Sequence, residues 1–153
     1  MEYIKSDKSE ECIFCTLPKS DEDEKNLILF KGPLCFIILN RYPYNSGHLM
    51  VSPYRHLACV TLLDKPELAE MNELASKCVE ILREVNAPDG FNLGVNVGKG
   101  GGAGFEEHIH THIVPRWGGD TNFMPVLAET KVHPEHINAT YRKLLPYFQK
   151  IKL

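Results

Sequence analysis

The sequence predicts an α+β domain, sheet first and helix second. Three short β-rich runs come early, and one long stretch with apolar residues at three- and four-residue steps follows. Two further runs then flank a glycine-rich loop. With 153 residues, 43% of them apolar, the chain has the length of one domain around one core. The expected unit is 1–153, with residues 1–25 as a polar N-terminal segment.

Leu27-Ile28-Leu29-Phe30 and Leu34-Cys35-Phe36-Ile37-Ile38-Leu39 read as strands joined by a hairpin at Lys31-Gly32-Pro33. Gly47-His48-Leu49-Met50-Val51-Ser52-Pro53 reads as a third. From Asp64 the period changes: Leu68, Met71, Leu74, Ala75, Cys78, Ile81, Leu82 and Val85 share one helical face. Asp64 suits the N-cap and Pro66 the first turn. Asn86-Ala87-Pro88-Asp89-Gly90 stops that helix. Phe91-Asn92-Leu93-Gly94-Val95-Asn96-Val97 alternates as a strand, expected to be the antiparallel neighbour of the histidine-bearing run 108–114, which Pro115 would end. From about Pro134 to Lys150, Ile137, Tyr141, Leu144, Leu145 and Phe148 recur at helical spacing.

Seventeen basic against twenty acidic residues give a net charge of −3, so the chain offers no general attraction to nucleic acid or anionic lipid. Any phosphate affinity must be local. No apolar run approaches the roughly 18 residues of a membrane span, and the N-terminus has no signal-peptide core. The expectation is a cytoplasmic protein with neither a nucleic-acid nor a membrane partner. The run Asp21-Glu22-Asp23-Glu24-Lys25 reads as a solvated turn. Five cysteines, an odd number, argue against a disulfide framework. Cys35, Cys59 and Cys78 sit in apolar patterns and read as small buried hydrophobes. Cys12-x-x-Cys15 is open to three readings: a redox pair, half of a zinc site, or chance. A thioredoxin-like pair belongs at a helix start after a strand in a βαβ unit, which this pattern lacks, whereas zinc needs two further N or S donors.

The richest stretch is His108-Ile109-His110-Thr111-His112-Ile113-Val114-Pro115-Arg116-Trp117. In an extended segment, three histidines at every second position project onto one face. Such a row is costly as a plain wall, because each imidazole needs partners for two nitrogens and clustered cations repel. Repulsion and burial are expected to depress their pKa values, keeping an imidazole neutral and able to attack phosphorus near pH 7. Just upstream, Gly98, Gly100, Gly101, Gly102 and Gly104 form a loop whose N–H groups can turn toward a phosphate.

His108-Ile109-His110-Thr111-His112-Ile113-Val114 resembles the His-φ-His-φ-His-φ-φ signature of the histidine triad superfamily, with Thr111 where the pattern prefers an apolar residue. The resemblance extends to Asn40-Arg41-Tyr42-Pro43, Gly47-His48-Leu49 and Pro53. The segments 42–51 and 115–123 are similar to the bacterial branch that contains diadenosine-tetraphosphate phosphorylases. It implies a mainly antiparallel five-stranded sheet with one long helix and a C-terminal helix, dimerising through that helix and a sheet edge. It also implies that His110 attacks the α-phosphate of a nucleotide to give a nucleotidyl-histidine. His112 would then contact the phosphate or the leaving group, with His48 supporting both from the neighbouring strand.

By the same resemblance Asn40 contacts ribose, Phe36 and Leu39 wall an adenine pocket, and Asn96 with the backbone at Ala103 and Gly104 holds phosphate oxygens. Where many family members carry Gln-Ser or Gln-Thr in that loop, this chain has Gly104-Phe105, so only main-chain contacts carry over. Phe36 reads equally as core. Trp117 covers the site, stacks on a second base or simply packs. Arg116 meets phosphate or bridges an acidic residue. His56 and His108 resemble the third and fourth ligands of zinc-bearing relatives, which would make Cys12, Cys15, His56 and His108 a structural Zn²⁺ site. His133 and His136 read as surface residues. The expected reaction is phosphorolysis of diadenosine tetraphosphate to ADP and ATP, with inorganic phosphate as acceptor. The rivals are a hydrolase of dinucleoside polyphosphates or AMP-phosphoramidates that releases AMP, and a nucleotide-binding module without turnover.

Overall fold

The computed structural model describes residues 12–121 and 135–153. The sequence readings at residues 1–11, Asn122, Phe123, His133 and Pro134 fall outside the described residues. Five strands form one sheet in the order β1-β2-β3-β5-β4, and every neighbouring pair is antiparallel. They are β1 (Ile28–Lys31), β2 (Cys35–Leu39), β3 (Leu49–Pro53), β4 (Gly90–Val95) and β5 (Thr111–Arg116). The helices are the single turns α1 (Ile13–Thr16) and α2 (Asp23–Asn26), the long α3 (Lys65–Asn86) and the C-terminal α4 (Ile137–Phe148).

The hairpin between β1 and β2 and the antiparallel pairing of β4 with β5 match the sequence reading. So does α3: Asp64 accepts the Glu67 N–H at 2.9 Å, and Glu67 in turn accepts the Asp64 N–H at 3.0 Å, which closes a capping box just ahead of Pro66. Glu67 also accepts two bonds from Arg55, which hold its carboxyl below its ordinary pKa. The helix ends at Ala87, whose φ of 45° puts a residue with a Cβ where glycine is commoner.

Strand register divides the side chains between two faces. Cys35, Ile37 and Leu39 of β2, Leu49 and Val51 of β3 and Ile113 of β5 form one buried layer. Met71, Leu74, Cys78 and Leu82 of α3, with Leu144 and Phe148 of α4, complete the core over it. The other face carries Met50 opposite His112 and Gly94 opposite His112. It is this second face that bears the candidate site.

Three expectations need correction. The ladder of β5 starts at Thr111, so His108 and His110 precede it; its pairing with β3 stops at Val51–Thr111, and substitute bonds hold the run instead, from Ile109 N–H to the Leu57 carbonyl and from Ser52 Oγ to the Ile109 carbonyl. Pro115 does not end the strand, which continues to Arg116. Beyond Ile113 only β4 pairs with β5, a one-sided position that tolerates proline, and the Pro115 carbonyl accepts a bond from Asn45 Nδ2 at 2.9 Å. Cys59 is half-buried rather than core, in contact with the Thr61 hydroxyl at 3.2 Å. Cys35 and Cys78 are buried as expected, and all five cysteines are free thiols.

Candidate active site and metal cluster

Backbone and side-chain partners fix the proton positions on four imidazoles. His110 Nδ1 lies 2.8 Å from the carbonyl oxygen of His108. A carbonyl only accepts, so Nδ1 carries the proton and Nε2 keeps a free electron pair. His48 Nδ1 faces two donors, the Tyr44 N–H at 3.1 Å and the Asn40 amide at 3.4 Å, and so accepts. The orientation of that amide is set because Asn40 Oδ1 takes the Tyr42 N–H at 3.0 Å. His48 therefore donates from Nε2 to His112 Nδ1 at 2.9 Å, which leaves the His112 proton on Nε2. The result is a bare nitrogen on His110 beside an N–H on His112, their ring centroids 4.7 Å apart.

Burial pushes His110 below the ordinary imidazole value, opposed only by its bond to the His108 carbonyl. Burial, and then repulsion from His110, push His112 down to about 4. Both rings are thus uncharged at neutral pH. An NMR titration of the His112 ring is expected to find its midpoint near 4 rather than about 6.5. Because the folded value is the depressed one, the unfolded chain binds more protons between those two pH values, and folding stability falls as pH drops through that window. A midpoint at or above 6.5 contradicts the burial.

Beyond His112, the face shared by β4 and β5 forms an open groove of about 380 Å³, a size suited to a small ligand. Its lining includes His112, Asn92, Asn96, Arg116 and Tyr44. Asn96 also donates to the Gly102 carbonyl at 3.4 Å, tying the glycine loop to β4, and the loop turns at Gly98 and Gly102 with φ of 68° and 82°. The N–H of Ala103 bonds the Gly98 carbonyl at 3.4 Å, and Gly104 follows it in the loop. Asn40 meets the histidine network through His48. Phe36 and Leu39 do not form one wall: three residues apart on β2 they face opposite sides, Phe36 stacking on Tyr54 at 5.4 Å and Leu39 lying in the layer under α3. Trp117 stands half-buried past the end of β5, outside the groove lining, while Arg116 does bridge an acidic residue, Asp120. His136 is exposed and caps α4 through the Asn138 N–H.

A second cluster lies against the first. Cys12, Cys15, His56 and His108 bring one donor atom each within 4.8 Å of one another. Cys12 Sγ and Cys15 Sγ stand 3.3 and 3.4 Å from His108 Nδ1, and Cys15 Sγ stands 3.3 Å from His56 Nδ1. Edges of ~3.5 Å are what a tetrahedral metal with S and N ligands requires. His108 fits as a ligand because its Nε2–H is taken by the Pro53 carbonyl at 2.8 Å, turning the Nδ1 electron pair to the thiols.

The HIT domain profile matches residues 21–119, nearly two thirds of the chain. This chain belongs to the HIT domain family. Within it, 122 residues are 43% identical to the AP-4-A phosphorylase of Mycobacterium tuberculosis (strain H37Rv), a match covering 80% of this chain and 63% of that protein. The chain therefore spans less than two thirds of that relative's length. Adenosine 5'-monophosphoramidase of Schizosaccharomyces pombe is 27% identical over 84% of this chain and 91% of its own. Among solved structures, a Zn-bound histidine triad family protein from Mycobacterium smegmatis superposes with a TM-score of 0.74 at 26% identity, covering 93% of this chain and 96% of that one.

Two residues of this HIT protein's site escape a reading of the sequence. Phe14, between the two cysteines, stacks on His110 at 4.6 Å and lies 5.4 Å from His108. Tyr44 covers His48 and His112 at 4.5 and 5.7 Å. An aromatic residue inside Cys-x-x-Cys was the available signal for the first. Nothing in spacing marks the second.

Proposed function

We propose that this HIT protein is a nucleotidyltransferase that splits adenine dinucleoside polyphosphates through a nucleotidyl-His110 intermediate, and that its reaction is phosphorolysis of diadenosine tetraphosphate to ADP and ATP. The observation that carries the reading is the bond from His110 Nδ1–H to the His108 carbonyl, which leaves Nε2 bare. The printed name of the Mycobacterium tuberculosis relative supports the substrate.

His110 Nε2 donates its electron pair to the α-phosphorus, the bond from phosphorus to the bridging oxygen breaks, and ATP departs. His112 Nε2–H is the nearby donor to the oxygen that gains charge. An oxygen of inorganic phosphate next attacks the same phosphorus, the P–N bond breaks, and ADP leaves with His110 restored. The N–H groups around Ala103 and Gly104, with Asn96, are suited to the phosphate oxygens, and Asn40 to ribose. Trp117 remains a candidate for a base from the family resemblance alone.

Isotope-labelled phosphate tests this reading: the label is expected in ADP and not in ATP. AMP and ATP formed at a rate indifferent to phosphate would replace phosphorolysis with hydrolysis, and the absence of any turnover would leave only a binding module.

The metal at Cys12, Cys15, His56 and His108 is proposed to be Zn²⁺, which when bound cross-links α1 to the segment ahead of β5 and neutralises the thiolates. A homodimer is supported by the open edge of β4, where Leu93, Val95 and Val97 are 50%, 37% and 43% exposed; sedimentation at twice the chain mass is the expected result, and a monomer would remove it. Free thiols suit a reducing compartment, hence the cytoplasm. Among the described residues no helix is long and apolar enough to cross a membrane.

A further inference from the structure

We infer that the groove running from His112 to Arg116 is a phosphate subsite that first holds the phosphates of the departing nucleotide and then the inorganic phosphate acceptor. The inference rests on the nucleotidyltransferase reading. In-line displacement sends the leaving oxygen away from His110, and the second attack on the same phosphorus must arrive where that oxygen left. One subsite therefore serves both halves of the reaction, and the groove is lined by His112, whose ring centroid lies 4.7 Å from that of His110.

The groove has the chemistry for it. His112, Val114 and Arg116 project from the same face of β5, and four residues of strand separate the first from the last by about 13 Å. Asn92 and Asn96 line the β4 side. At the far end Arg116 gives Nε–H to Asp120 Oδ2 at 2.6 Å, an Nη2–H to Asp120 Oδ1 at 2.8 Å and an Nη1–H to Asn92 Oδ1 at 2.7 Å. Those three bonds hold the guanidinium still and use three of its five N–H groups, leaving two for an oxyanion. Asp120 offsets the guanidinium's charge, so Arg116 offers the oxyanion two fixed N–H donors rather than a free cation, while the Asp120 oxygens are turned to Arg116, Asn45 at 2.6 Å and the Trp117 N–H at 3.2 Å.

The test reads how the nucleotidyl-His110 intermediate divides between phosphate and water, a ratio that does not depend on how much enzyme is folded. With diadenosine tetraphosphate and a fixed phosphate concentration, Arg116→Gln is expected to lower the ADP to AMP product ratio by about tenfold or more. It is also expected to raise the KM for phosphate, and Arg116→Lys is expected to lower the ratio too, because its three N–H groups are no more than Asp120 and Asn92 already take. An unchanged ratio in Arg116→Gln, with wild type still making ADP, overturns the subsite and spares phosphorolysis. A wild type that makes only AMP at every phosphate concentration overturns the phosphorolysis reading and the acceptor role together.

Discussion

His110→Ala is expected to reduce turnover of diadenosine tetraphosphate by at least about 10⁴-fold while nucleotide affinity changes by only a few-fold. The asymmetry follows from the geometry. His110 is stacked on Phe14 and donates to its own chain, so its one remaining valence is Nε2, which forms a bond only during the reaction. His110→Asn keeps a donor near the His108 carbonyl but supplies no nucleophile, and is expected to be equally inactive. Mass spectrometry of wild type denatured at alkaline pH, where the P–N bond to histidine survives, should find one adenylate per chain, absent in both variants. Comparable turnover in either variant removes the covalent pathway, and loss of binding in proportion to turnover reassigns His110 to substrate affinity.

The second large effect concerns the metal cluster. Cys12→Ala with Cys15→Ala is expected to lower bound zinc from about one per chain to none and to drop Tm by about 10 °C or more, because a buried site losing its metal forfeits several kcal/mol. Cys12 is fully buried and Cys15 and His108 nearly so, so the cluster has no ready water to replace the ion. Elemental analysis beside calorimetry checks both halves. Zinc retained in the double variant would assign the ion elsewhere, and an unchanged Tm would deny it a structural role.

How far the sequence alone carries depends on how local each signal is. The capping residue Asp64, the apolar face from Leu68 to Val85 and the two alternating runs around the glycine loop each encode their element within a few residues; the helix and the antiparallel pair are there, with β5 shifted to Thr111–Arg116. The histidines were readable as a cluster because of their alternation, and His110 and His112 do stand side by side, although the ladder itself begins only at Thr111. The Cys-x-x-Cys pair needed the family resemblance to find His56 and His108, since no local rule links positions so far apart. What stayed hidden depends on register and on partners across the fold. The opposite orientation of Phe36 and Leu39 follows from where β2 starts its ladder. The passage of β5 through Pro115 follows from β3 beginning only at Leu49, opposite Ile113, and the proton positions depend on which carbonyl or N–H happens to lie 3 Å from each ring.

Strand β5 turns even-numbered residues to the groove and odd-numbered ones to the packing against α3. No position in it is spare. One inserted or deleted residue would exchange the two sets, turning Ile113 out to the groove and sending an imidazole into the oily interior. Evolution can therefore vary this segment by replacement but hardly by length, and a laboratory redesign of its specificity should keep the residue count from Thr111 to Arg116 untouched.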